Sequence, residues 1–192
     1  AGKIIRRFPC AGGIDLSVGP VLSLATVLAA TLMVRIGVLP AILVILIVTA
    51  LFGMLNGLVI TRLNINPFIM TLASMAIAQG SALYVLPGPG GKIPRGFMDL
   101  IYYENFLGLP PYTWIAIAIF LLVAFILYRR KFGLNVVAVG GNKEAAFLAG
   151  IDGDWVTIGT YIYSSVLAAT AGILMTARIA GGDPLVGQGF TL

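Results

Sequence analysis

Histidine is absent from the 192 residues, and Cys10 is the sole cysteine. Without histidine the chain lacks the usual general base, the Ser-His and Cys-His nucleophile pairs, and the commonest metal ligand. One cysteine allows no intrachain disulfide and no cysteine-rich metal site. Charge is scarce as well, at 10% of residues against 59% hydrophobic. A soluble domain carries roughly 45–50% apolar and about 25% charged residues. A chain so poor in charge cannot dress a water-facing surface, and it is too apolar for disorder. The composition therefore implies an integral membrane protein.

The few charges that are present divide the chain into uncharged runs long enough to cross a bilayer as helices. Five spans are expected, near residues 16–34, 37–60, 66–86, 106–128 and 155–177. The runs are continuously apolar rather than alternating, which argues against a β-barrel. The expected fold is all-α, a polytopic transmembrane helix bundle.

The cations also orient it. Lys3, Arg6, Arg7, Arg62, Arg129, Arg130, Lys131 and Lys143 fall on one side of the alternating spans. Arg35, Lys92, Arg95 and Arg178 fall on the other. The richer side is cytoplasmic by the usual bias of Lys and Arg. The net charge of +5 is thus topological. Basic and aromatic residues do not interleave as a nucleic-acid platform would require, so no nucleic-acid partner is expected.

Four stretches carry further information. In Gly12–Gly19 (GGIDLSVG), Asp15 can cap the first helix, or stand with Ser17 beside a permeation path. In the third span, Asn66-Pro67 opens the helix, and Thr71, Ser74 and Ser81 share one face above the amide of Gln79. These residues suit hydrogen bonds between helices, or a polar strip for a neutral solute. Gly53 and Gly57 form a GxxxG pair that permits close helix contact. The last span repeats the small-residue theme with Thr157, Thr160, Ser164 and Ala168, read first as packing.

The loop at residues 129–154 contains Gly140, Gly141, Asn142, Lys143, Glu144, Ala145, Ala146, Phe147, Leu148, Ala149, Gly150 and Ile151 in unbroken order. Asn142 can cap a short helix over 143–149, with Glu144 in its first turn and Gly150 just past its end. Apolar knobs on such a helix suit docking into a partner's groove. The Gly- and Pro-rich stretch at 86–96 fails as a phosphate loop, since Leu86 and Ile93 occupy positions that require Gly and Ser or Thr. Asp152-Gly153-Asp154 reads as a turn rather than a cation site.

Taken together, GGIDLSVG (12–19), NPFIMTLASM (66–75), FGLNVVAVGGNKEAAFLAGI (132–151) and TYIYSSVLAATAGILMTARI (160–179) resemble the permease subunit of bacterial sugar-importing ABC transporters. The resemblance is to the ribose, arabinose, xylose and galactose branch, and it runs from Gly12 to the end of the chain. It implies import of a monosaccharide across the inner membrane without covalent chemistry in this chain. It also implies a periplasmic sugar-binding protein, a second permease subunit and a cytoplasmic ATPase subunit that binds the ATP. No cofactor is expected on this chain. The family's docking segment would correspond to Gly140, Gly141, Asn142, Glu144, Ala145, Ala146, Gly150 and Ile151. The candidate substrate path comprises Asp15, Ser17, Asn66, Thr71, Ser74 and Gln79. Family members are longer, so the chain is expected to be a piece of a permease. Residues 1–11 (AGKIIRRFPCA) depart from the family's apolar pattern. Permeases for an autoinducer-like solute or branched-chain amino acids are the alternative, with a passive channel or an intramembrane enzyme behind them.

Overall fold

In the computed structural model the protein is described over residues 15–103 and 108–190, apart from the side chain of Tyr103. Gly12, Gly13 and Ile14 of the first motif, and the atypical residues 1–11, lie outside the described residues. Among the described residues five helices are long and apolar enough to cross a membrane: α1 (Val18–Ile36), α2 (Val38–Leu63), α3 (Pro67–Val85), α5 (Pro111–Arg129) and α8 (Gly153–Ile179). Between them lie the single turn α4 (Arg95–Met98), α6 (Lys131–Gly141) and α7 (Lys143–Leu148). A π-turn (Asp99–Tyr103) follows α4, and a 3-10 turn (Val186–Phe190) follows α8.

The helix ends follow local chemistry. Ser17 already has helical dihedrals, and its amide donates to Asp15 Oδ1 at 3.0 Å, so Asp15 satisfies a first-turn amide. Gly37 makes the tight corner between α1 and α2 with φ +90°, a backbone state that L side chains rarely adopt. Asn66 caps α3 by accepting from the Phe68 amide at 2.9 Å, with Pro67 in the first turn where its missing N–H costs nothing. The fourth span begins at Pro111 rather than near 106. Proline is tolerated only in a helix's first turn, so Pro110-Pro111 delay the start. Asp152 caps α8, its Oδ1 accepting from the amides of Asp154 and Trp155 at 3.0 and 3.3 Å.

The bundle is organised around α1, most of which is buried against α2, α3 and α8. Small residues set the spacing. A Cβ at Gly57 would stand 2.6 Å from Ile158 Cα, and one at Gly172 would stand 2.6 Å from the Leu22 carbonyl oxygen. Without a hydrophobic drive between helices in lipid, such close approach is what holds them together. Ala25, Ala29 and Met33 of α1, Ala41 and Ile45 of α2, and Ala169 and Ile173 of α8 share one core. Phe97 and Ile101, from a stretch where no element was expected, close that core at the end opposite α6 and α7. By contrast, α5 has no buried residue. It meets the rest on the π-turn, where Tyr102 stacks on Tyr112 at 5.8 Å, and on α6.

Candidate functional site

A polar network crosses the bundle at one depth. Ser17 Oγ donates to Asp15 Oδ1 at 2.6 Å and accepts from Asn56 Nδ2 at 3.4 Å. Asn56 Oδ1 in turn accepts from Ser74 Oγ. On the other side, Ser164 Oγ donates to Asp15 Oδ2 at 2.8 Å. Four helices are joined in this way. Asn56 lies seven residues short of Leu63, the end of α2, so the network sits about 10 Å into the bundle from the end that bears α6 and α7. Consequently α1 begins inside the bundle.

The candidate path residues divide on this geometry. Ser17, Thr71 and Ser74 are buried; Ser17 and Ser74 join the network, while Thr71 Oγ1 donates to the Phe68 carbonyl of its own helix at 3.3 Å. Asp15 and Gln79 are half-buried, and Asn66 is exposed at the α3 cap, where it does not join the network. Two contributors escaped the sequence reading: Asn56, hidden inside the GxxxG pair, and Ser164, taken as packing. Within that last stripe Ala168 is buried but Thr160 is exposed, so the stripe is not purely a packing face. Among the described residues, buried Ser165 has no hydrogen-bond partner for its Oγ where α8 crosses Gly53.

The second unexpected feature is a re-entrant segment. After α8 the chain turns back along α1, with Gly182 beside Ala30 and Gly187 beside Gly19. Eleven residues of α1 separate those contacts, about 16 Å of depth. Irregular backbone is tolerated at membrane depth only where its polar groups find protein partners. Here they do. Gly90 and Gly182 exchange two backbone bonds of 2.9 and 2.8 Å. Thr26 Oγ1 donates to the Asp183 carbonyl at 3.0 Å and accepts from its amide at 3.2 Å. Ser23 Oγ accepts from the Gly187 amide at 2.8 Å, and Gln79 Nε2 donates to the Pro184 carbonyl at 2.7 Å. Gln79 therefore holds this segment, while its Oε1 is buried without a partner among the described residues.

The loop at 129–154 contains more helix than expected. α6 forms over Lys131–Gly141, a stretch with three glycines for which no helix was expected. Gly133 is the reason it can, since α6 there lies directly on the Leu127 backbone of α5. α7 stands where the cap signals placed it. Asn142 Oδ1 accepts from the Ala145 amide at 3.0 Å, Glu144 is in the first turn, and Gly150 has φ +81° after Ala149. The alanine pair splits: Ala146 is buried against Val139 and Val156, with Ile151 packed beside them, while Ala145 faces outward. Phe147 and Leu148 are 62% and 85% exposed. A solvent-exposed ion pair, Lys143 to Asp154 at 3.4 Å, ties α7 to the start of α8. Gly140 and Gly141 close α6, exposed. Among the described residues no group of three or more acidic or cysteine side chains could hold a metal ion.

The family described as "Branched-chain amino acid transport system / permease component" matches residues 8–192. The chain belongs to that permease family. With five apolar helices of spanning length, it is an integral membrane protein. Its relatives include the L-arabinose transport system permease protein of Escherichia coli (strain K12), 36% identical over 71% of this chain and 42% of that protein. The D-allose transport system permease protein of the same strain is 33% identical over 93% of this chain and 55% of that protein. The ribose import permease protein of Bacillus subtilis (strain 168) is 36% identical over 94% of this chain and 57% of that protein. The chain spans about half the length of these relatives. No solved structure gives a significant match.

Proposed function

We propose that the chain is part of the membrane-spanning subunit of an ABC importer that moves a monosaccharide across the inner membrane. The observation that carries this reading is the set of relatives named for three neutral sugars, arabinose, allose and ribose. The family's own description names branched-chain amino acids, but among the described residues no buried cation stands ready for the carboxylate of a zwitterion. In the interior, hydroxyls and amides dominate, with Asp15 already bonded to two serines. Such groups suit a solute rich in hydroxyls, and Asp15 with Ser164 marks where the path runs past α1 and α8.

The energy source is a separate ATPase subunit on the side that bears α6 and α7, with ATP bound there and not on this chain. A binding protein delivers the sugar on the opposite side, and a second permease subunit completes the path. This chain does no covalent chemistry. Its α7 is the docking element. Phe147 and Leu148 enter the ATPase, whereas Ala146, Ile151 and the Asn142 cap form the mount that keeps α7 rigid on α8. Alternating access then needs only a lever that transmits a push on α7 into α8.

The test uses the full-length permease in its assembled complex. Phe147→Asp and Leu148→Asp remove apolar contact without touching the mount. They are expected to lose co-purification of the ATPase subunit while the permease stays folded. Undiminished ATPase retention by both variants refutes the docking assignment. Binding of arabinose, ribose or allose by no assembled complex, with leucine transported instead, refutes the sugar reading.

A further inference from the structure

An apolar wedge opens between α5 and α8, floored by α6. Its volume is about 210 Å³, and its walls include Ile126 and Leu127 of α5, Phe132 and Val136 of α6, and Tyr163 and Leu167 of α8. Of the three hydroxyls on the α8 wall, two are spent inside the protein, Thr160 on the Val156 carbonyl at 2.9 Å and Ser164 on Asp15; the third is the phenol of Tyr163, whose ring lies against Phe132, and the rest of the lining is apolar. What remains is surface for hydrocarbon, unsuited to a sugar. Among the described residues the main contacts of α5 are with α6 and the π-turn, at its two ends, which leaves the wedge open along its side.

The mouth of the wedge lies where headgroups lie. Tyr128 at the end of α5 and Trp155 at the start of α8 are 80% and 64% exposed, and such rings prefer the membrane interface. At the same level stand Arg129, Arg130 and Lys131, all exposed. Among the described residues none of the three forms an ion pair with a carboxylate. Arg130 is held in place over the Phe125 ring, 5.4 Å from its centroid. Leu167 lies twelve residues along α8 from Trp155, about 18 Å deeper. The wedge therefore runs from a cationic rim into the hydrocarbon.

We propose that this wedge is a binding site for a phospholipid with an anionic headgroup. One acyl chain lies between α5 and α8 over Phe132 and Val136, and the phosphate meets Arg129, Arg130 and Lys131. The charge decides between occupants. A neighbouring apolar helix would fill the wedge without answering three adjacent cations, whereas an anionic lipid answers both. Basic pockets between membrane helices recognise such headgroups in general. The site is independent of which solute the permease moves.

The test uses full-length permease reconstituted in bilayers of phosphatidylethanolamine mixed with phosphatidylglycerol, then released for native mass spectrometry. The wild type is expected to retain phosphatidylglycerol in excess of its share in the bilayer. Arg130→Gln lowers that preference about fivefold, the equivalent of about 1 kcal/mol for one charge near the headgroup. Leu167→Trp fills the wedge at unchanged charge and lowers retention of both lipids. Gel filtration identifies any variant that fails to fold, and Arg130→Gln, at an exposed position, serves where Leu167→Trp does not. Equal retention of the two lipids by the wild type overturns the proposal. So does a folded wild type that keeps neither lipid, which would place protein in the wedge, or Arg130→Gln with undiminished preference.

Discussion

Gly57→Ala is the sharpest test of how the bundle is held. The added Cβ would stand 2.6 Å from Ile158 Cα and 3.2 Å from Ile158 Cβ. Carbon atoms prefer about 3.5–4.0 Å, so α2 and α8 must separate there by about 1 Å. The obstacle is backbone, and no rotamer change relieves it. Overpacking of this kind costs about 1–3 kcal/mol. The assay is reversible unfolding of the full-length permease in detergent, read as a shift in free energy. Ile158→Ala is expected not to rescue the variant, because the nearest clash is with Cα. Gly53→Ala opposes the same two helices, against Ser165 Oγ at 2.7 Å and Ile162 Cα at 2.9 Å. The double variant should therefore cost less than the sum, since one separation of the helices serves both sites. Unchanged stability of Gly57→Ala, or full rescue by Ile158→Ala, would refute the close packing of α2 on α8.

Two further outcomes follow from single bonds. Ser74→Ala leaves Asn56 Oδ1 without its donor, and a loss of about 0.6–1.7 kcal/mol is expected in the same assay, the range for hydrogen bonds between membrane helices. A double cycle with Ser17→Ala should show coupling, because both hydroxyls bond Asn56. Asn142→Ala removes the α7 cap and should cost about 1 kcal/mol, seen as faster amide hydrogen exchange across 143–148. Lys143→Ala, which loses only a half-exposed ion pair, should change that exchange little.

Much of the architecture was legible because lipid imposes a simple rule. A span must be about 20 apolar residues, and charges or prolines must mark its ends. Expected and observed limits of the first three spans and the last differ by three residues or fewer. The α7 helix was legible for a similar reason, since Asn142, Glu144 and Gly150 act on their own neighbours. α6 was not, because Gly133, Gly140 and Gly141 argue against a helix until the Leu127 backbone is seen lying on Gly133. Likewise, nothing local in residues 181–190 announces a segment that turns back into the bundle.

The roles of the polar residues show where local reading stops. Ser23, Thr26 and Gln79 stand at ordinary positions in apolar helices, and their spacing is compatible with lining a path. The backbone they satisfy belongs to a segment as far as 164 residues away, and that distance hides the partner. Composition, span limits, helix caps and the α7 helix are determined by the sequence alone, because each depends on contacts within a few residues or on the solvent. Tertiary structure decided which of Ala145 and Ala146 faces outward. It decided that Asp15 meets Ser164, and that Gln79 secures a re-entrant chain. A buried polar group takes its meaning from its partner, and only the packed bundle supplies one.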